Sequence, residues 1–433
     1  GFDENVCNAI EELSESLGNK PLRDMNYVEL ESLHKVLKMV KKTITNANKA
    51  FAENIKEGIT ETANKAGDEL DALKRKNKGT TDLQRTAEQF AWNNRKPIYA
   101  FEKVGSKTIL KLFMNIRKGE DTWVVDVDEA KQFVKKAKRK HGYKKWHMEK
   151  EFEFESDLGQ KFSLTTNEIM SMYAYSERDE DKGKIHLRLG GFVFDENARA
   201  KIKRAFGFKL KVLSNDATFY TVSDELLNEI ISKLTQEQKA FVDEMVGYLS
   251  NVMGAKGNEV SMALYDVELF KEKNYFPLHV SNVYNARIEA KQKGDVKIKN
   301  SGFTQATVKN ANSPIVLTPF MDVWADHVNE MSMYHAFVLP LEDFYRVYNF
   351  NSGVSKDFTP NSIKQKIINS NGFAATKYIE QLLKDINGDV KGDPRETISK
   401  SLVSKFKKSA VLSSASVVIQ QPSAIGRAFS MIS

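Results

Sequence analysis

A chain of 433 residues can bury a sizeable core and hold more than one folding unit. Its make-up, 41% hydrophobic and 28% charged with 9 prolines, points to a helical globular protein, and no uninterrupted apolar run approaches the ~20 residues that span a bilayer, so no membrane partner is expected. A single cysteine, Cys7, excludes an internal disulfide framework and a cysteine-based zinc cluster, and the net charge of +7 is modest for this size.

The opening residues, Gly1 to Cys7, have neither the basic start nor the apolar stretch of a secretory signal, and no initiator methionine, so the chain is expected to be an excerpt of a longer protein. At Asn26, with Glu29 three residues on, a capping box predicts a long helix. Its apolar positions, Leu30, Leu33, Leu37, Val40, Ile44, Ala47 and Phe51, step by threes and fours, the seam of a coiled coil or helical hairpin. The segment from Asp68 to Trp92 is the expected second arm, with Gly67 as the break between them. Two further helices are predicted, at about 106–118 and 128–140. The second has Phe133, Val134 and Ala137 on its apolar face and lysines around the rest.

Glu151 to Glu155 alternates strictly, and after the turn at Ser156–Gly159 a second alternation ends at Leu164, which predicts a β-hairpin. Thr165 and Glu168 form a second capping box; Lys184–Leu189 and Phe192–Phe194 are expected to be extended. Helices should follow from Ser223 and from a third capping box at Thr235 and Gln238. Residues 281–313 are polar and aperiodic, an expected excursion. Thr318-Pro319 should open a helix with His327, Tyr334 and His335 on its inner face, ended or kinked by Pro340, with later helices near 374–386 and 396–419. The expected fold is therefore mainly α: an elongated helical hairpin and basic region over 1–150, a small α+β insertion with a β-hairpin over 151–221, and a helical body over 222–433.

Charge is concentrated in one place. Between Lys131 and Lys150 lie Lys131, Lys135, Lys136, Lys138, Arg139, Lys140, Lys144, Lys145 and Lys150, against the single acid Glu149. With His141, Tyr143, Trp146 and His147 interleaved, the run combines cations for phosphates with rings that could stack on bases, so nucleic acid is a candidate partner and Lys131 to Lys145 the candidate contacts. No Walker or dinucleotide glycine loop and no HExxH pair is present, and no cofactor is expected. The alternative is a metal-dependent nuclease. Glu177, Asp179 and His186, or less directly Asp322, Asp326 and His327, carry the oxygen and imidazole ligands that would hold a divalent cation and activate water.

Fragments scattered along the chain, among them Asp24–Leu33, Leu164–Tyr173, His186–Gly191, Leu234–Lys239, Gly257–Met262, Lys273–Pro277, Asn310–Ile315 and Gln420–Ala424, resemble the large polyvalent proteins carried by bacteriophages and integrative mobile elements. The resemblance implies a helical module of a larger polyprotein whose enzymatic domains sit elsewhere, working in a bacterial cytoplasm or with the virion. It implies no active residues. The function expected from the sequence is thus a non-catalytic scaffold or nucleic-acid-associating module.

Overall fold

A computed structural model describes residues 4–17, 20, 24–73, 82–156, 158–178, 181–194, 220–278, 314–354 and 360–387. The expected excursion at 281–313, the helix at 396–419 and Asp179 lie outside these residues. The described chain is mainly helical: α1 (Glu4–Leu17), α2 (Tyr27–Asp71), α3 (Asp82–Asn93), α4 (Pro97–Val104), α5 (Lys107–Lys140), α6 (Thr166–Ser176), α7 (Lys182–Leu189), α8 (Asp224–Ser232), α9 (Gln236–Tyr248), α10 (Gly254–Tyr265), α11 (Phe320–Tyr348), α12 (Ile363–Asn371) and α13 (Phe373–Asn387). A π-helical turn, Leu249–Met253, joins α9 to α10. Three two-stranded sheets complete it: the hairpin β1 (Glu151–Glu155) with β2 (Lys161–Thr165), the parallel pair β3 (Phe192–Phe194) with β4 (Ile315–Leu317), and β5 (Asn351–Val354) with β6 (Pro360–Ser362).

Local sequence sets the helix starts. The Glu29 amide donates to Asn26 Oδ1 at 3.0 Å and the Asn26 amide to Glu29 Oε2 at 2.7 Å, so two otherwise orphaned donors are satisfied before α2 begins. The same reciprocal arrangement opens α6 at Thr165 and Glu168, and α9 at Thr235 and Gln238. At α5 the Ser106 hydroxyl caps locally, accepting from the Ile109 amide at 3.1 Å, and a carboxylate from elsewhere in the chain adds to it. Ser106 Oγ and the Thr108 amide both donate to Glu69 Oε2 of α2, at 2.7 and 2.9 Å, setting a carboxylate at the positive end of the helix.

Helices α5 and α11 form an antiparallel spine, as the ladder of contacts shows: Gly119 meets Ala336 and Phe337, Trp123 donates to Asn329, and Phe133 stacks towards Trp324. One core lies around the C-terminal half of α5 and the N-terminal half of α11, where Phe162, Phe192, Phe241, Phe276, Phe320 and Trp324 are almost fully buried. The other surrounds their opposite halves, with Trp92, Phe101, Phe113, Phe344, Ile367 and Ile379. Both cores draw on residues either side of position 150, so the spine belongs to each.

Several expectations need correction. Helix α2 runs through Gly67 to Asp71, and it is buried at Ala63, Ala66 and Leu70, where it meets α5, α11 and α12. The expected seam is only partly covered: Leu30 and Leu37 are exposed, and Leu33, Val40 and Phe51 are half-buried. Ile44 and Ala47 fall among residues whose side chains are not described. The two helices expected at 106–118 and 128–140 are one, because nothing between them breaks a helix; Gly119 is there for closeness. The stretch Lys184–Leu189 is helical, and its adjacent buried residues His186 and Leu187 could not both face inward on a strand. Helix α11 continues through Pro340, and Pro319 sits at its N-cap with no side-chain cap. Strand structure also occurs beyond 221, in β4, β5 and β6.

Candidate nucleic-acid interface

The last three turns of α5 carry most of the basic run. Val134 and Ala137 are buried and Phe133 stacks on Tyr248 with ring centroids 4.3 Å apart, so this end of the helix is fixed by its apolar face. Lys135, Lys136 and Arg139 consequently face solvent, and Lys144 and Lys145 follow on a 3-10 turn, Tyr143–Lys145, also exposed. None of these five makes an ion pair within the described residues.

The other three predicted contacts are engaged differently. Lys138 is buried, its Nζ 4.3 Å from the centre of the Tyr143 ring, and burial brings its pKa down to about 8. Lys131 is half-buried; desolvation lowers it despite the opposing pull of Asp128. Lys140 is exposed but bound to Glu244 Oε2 at 2.7 Å, and His141 Nε2 lies 2.7 Å from that same oxygen. Of the eight candidate contacts, Lys135, Lys136, Arg139, Lys144 and Lys145 are thus both exposed and without an ion pair among the described residues. The rings change role as well. Tyr143 is buried, and Trp146 packs edge-on to Phe241 with centroids 5.4 Å apart, so both belong to the core. His147 remains exposed.

Beneath this surface sits Glu149, half-buried, with Oε2 lacking a hydrogen bond among the described residues. Burial, then the charges of Glu168, Asp322 and Glu151, raise its pKa to about 7. Burial, Glu149 and Asp322 likewise push the Tyr143 hydroxyl up.

Among the described residues, those of the nuclease alternative do not assemble into a cation site. Glu177 is exposed at the end of α6 while His186 is buried on α7, and Asp179 lies outside the described residues. Between them, Arg178 is buried and grips Glu272 through Nε and Nη2, at 2.8 to 3.1 Å. On α11, Asp322 and Asp326 are half-buried and His327 is buried against the Tyr275 ring, centroids 5.2 Å apart. Among the described residues no group of three or more His, Cys, Asp and Glu side chains is disposed to hold a metal ion.

One constellation has no counterpart in the sequence reading. Asp126 of α5 is buried and takes Lys256 Nζ of α10 on Oδ1 at 2.5 Å, while His335 Nδ1 of α11 lies 2.7 Å from its Oδ2. Lys256 also donates to Glu129 at 2.6 Å, and His335 Nε2 lies 3.3 Å from Glu259. Burial would raise the Asp126 carboxyl, but hydrogen bonds from His335 and Lys256 and their charges outweigh it and hold it below its ordinary value. The Asp126 bond raises His335, against desolvation. The buried Tyr248 hydroxyl stands beside these charges and forms no hydrogen bond among the described residues. A histidine oriented by a carboxylate can move protons, yet two surface depressions of the molecule lie elsewhere. One, of about 350 Å³, is lined by Phe51, Ile55, Ile59, Leu264 and Phe350; the other, of about 460 Å³, by Asp181, Lys184, Arg188, Asp224 and Leu227. The network's evident effect is to join three helices. Its sequence signal was Asp126 itself, an acid on the same stripe as Trp123, Val127 and Ala130 once α5 is taken as one helix.

Comparison with protein-family models, with curated proteins and with solved structures finds no significant match.

Proposed function

We propose that this chain is a non-catalytic helical module that associates with nucleic acid through the backbone phosphates, using Lys135, Lys136, Arg139, Lys144 and Lys145. The observation that carries the reading is the exposure of these five cations, without ion pairs among the described residues, on a helix end whose opposite face is packed into the core. Fixed cations gain from releasing the counterions condensed on nucleic acid, and this attraction needs no sequence recognition. The fragments that resemble polyvalent phage and mobile-element proteins support a setting in which such a module tethers a larger polyprotein to the DNA it accompanies.

The reading is tested with the triple variant Lys135→Glu, Lys136→Glu, Arg139→Glu, all exposed positions. Affinity for a mixed-sequence DNA probe should fall by at least about tenfold at moderate salt, with the thermal unfolding midpoint unchanged. Affinity equal to that of the wild type would reject it.

A further inference from the structure

We infer that the ligand of this basic face is a duplex, held by its phosphates, and that single strands are poorer ligands; the inference rests on the nucleic-acid reading above. Proteins that hold single strands pair a basic groove with aromatic faces on which successive bases stack. Here the rings that the sequence interleaves with the lysines are taken. Tyr143 is buried with Lys138 over its face, Trp146 is wedged against Tyr143 and Phe241, and His141 is held by Glu244. Lys150 Nζ sits 4.8 Å from the centre of the half-buried Phe152 ring. Only the small ring of His147 is left in the open within the run.

What remains exposed suits a stiff, highly charged rod. Lys135 and Arg139 are one turn apart, about 6 Å along the axis at the ordinary helical rise, with Lys136 beside them. Because α5 is anchored by Val134 and Ala137, the backbone spacing of these cations is fixed, and a flexible strand must be ordered to match it where a stiff duplex need not be. A duplex offers about one phosphate charge per 1.7 Å of its axis, roughly twice the density of one strand, so a short fixed set of cations meets more phosphates on it.

The experiment is fluorescence anisotropy of the whole chain with a duplex of about 20 base pairs and a homothymidine strand of similar length, at matched salt. The expected result is a duplex affinity about tenfold or more above that of the strand, lost in the triple charge-reversal variant and reduced in a second variant, Lys144→Glu with Lys145→Glu. A strand bound as tightly as the duplex, with both affinities lost on charge reversal, overturns the duplex inference and leaves the basic-face reading standing. Binding to neither, or binding indifferent to both variants, overturns the two together.

Discussion

Around Gly119 and Pro340 the spine helices touch without polar chemistry: a Cβ added at Gly119 would lie 2.5 Å from the Ala336 carbonyl oxygen and about 3 Å from the Phe337 ring. That carbonyl is the one left without its helical donor by Pro340, four residues on, and the bare face of Gly119 covers it. Two turns further along α5, at Asp126, the same pair of helices is joined by a buried carboxylate and a histidine, with Lys256 of α10 on the carboxylate's other oxygen. The first contact is close packing and indifferent to pH. The second is specific in direction and conditional on protonation. One helix pair can thus be rigid at one contact and titratable at the next, with His335 and Ala336 neighbours on α11 and the basic end of α5 lying beyond Asp126.

Substitutions should separate the two kinds of contact. In the core around the N-terminal half of α5, Phe101→Ala removes a fully buried ring of α4 stacked on Phe113, centroids 4.1 Å apart, and edge-on to Phe344; a loss of about 3–5 kcal/mol is expected in urea unfolding, the same at pH 5 and pH 8. At the charged contact, Asp126→Ala takes the buried partner from His335 and Lys256, leaving them only the exposed Glu259 and Glu129, and should lose about 2–3 kcal/mol near pH 6. Gly119→Ala forces the helices apart against backbone and should lose about 1–3 kcal/mol, again independently of pH.

The pH dependence has a definite sign. The His335 pKa is raised above its ordinary 6.5, so its contribution is complete below that value and is lost as pH rises through the folded pKa. Asp126 is depressed below 3.8, so its contribution is complete above that value and fails only in stronger acid. Glu149, raised from 4.5 to about 7, adds a cost that grows as pH climbs through that interval. Lys138 works oppositely and later: lowered from 10.5 to about 8, its buried charge is a cost relieved between those values. Stability should therefore fall from pH 5 to beyond neutrality. Replacing Glu149 by Gln should flatten the acid side of that decline, and replacing His335 by Asn should remove its neutral part. The smallest effect is expected from Lys135→Glu, Lys136→Glu and Arg139→Glu, whose combined change in stability should stay within about 0.5 kcal/mol while nucleic-acid affinity falls by at least about tenfold.

Much of this was legible where the physics is local. The capping boxes at Asn26, Thr165 and Thr235 involve atoms three residues apart, and the hairpin alternation at Glu151–Glu155 needs only its own pleat, so each was visible in the sequence. Tertiary pairing was not. Asp126 and His335 are 209 residues apart, and nothing local marks them as partners. Lys138 looked like its neighbours, yet it follows the buried Val134 by one turn and shares its face. The Lys184–Leu189 alternation misled because six residues fit either period, and burial decided the helix. The nine-base run was equally plain, but which of its cations face water depended on which face of α5 meets α11.

The most direct measurement is the slope of log affinity for a duplex against log salt concentration, in the wild type and in the Lys135→Glu, Lys136→Glu, Arg139→Glu variant. Five phosphate contacts give a slope of about −4 to −5, and removing three should shrink its magnitude by about 3. A wild-type slope near zero, or the same slope in both proteins, would contradict a phosphate-binding face at the end of α5.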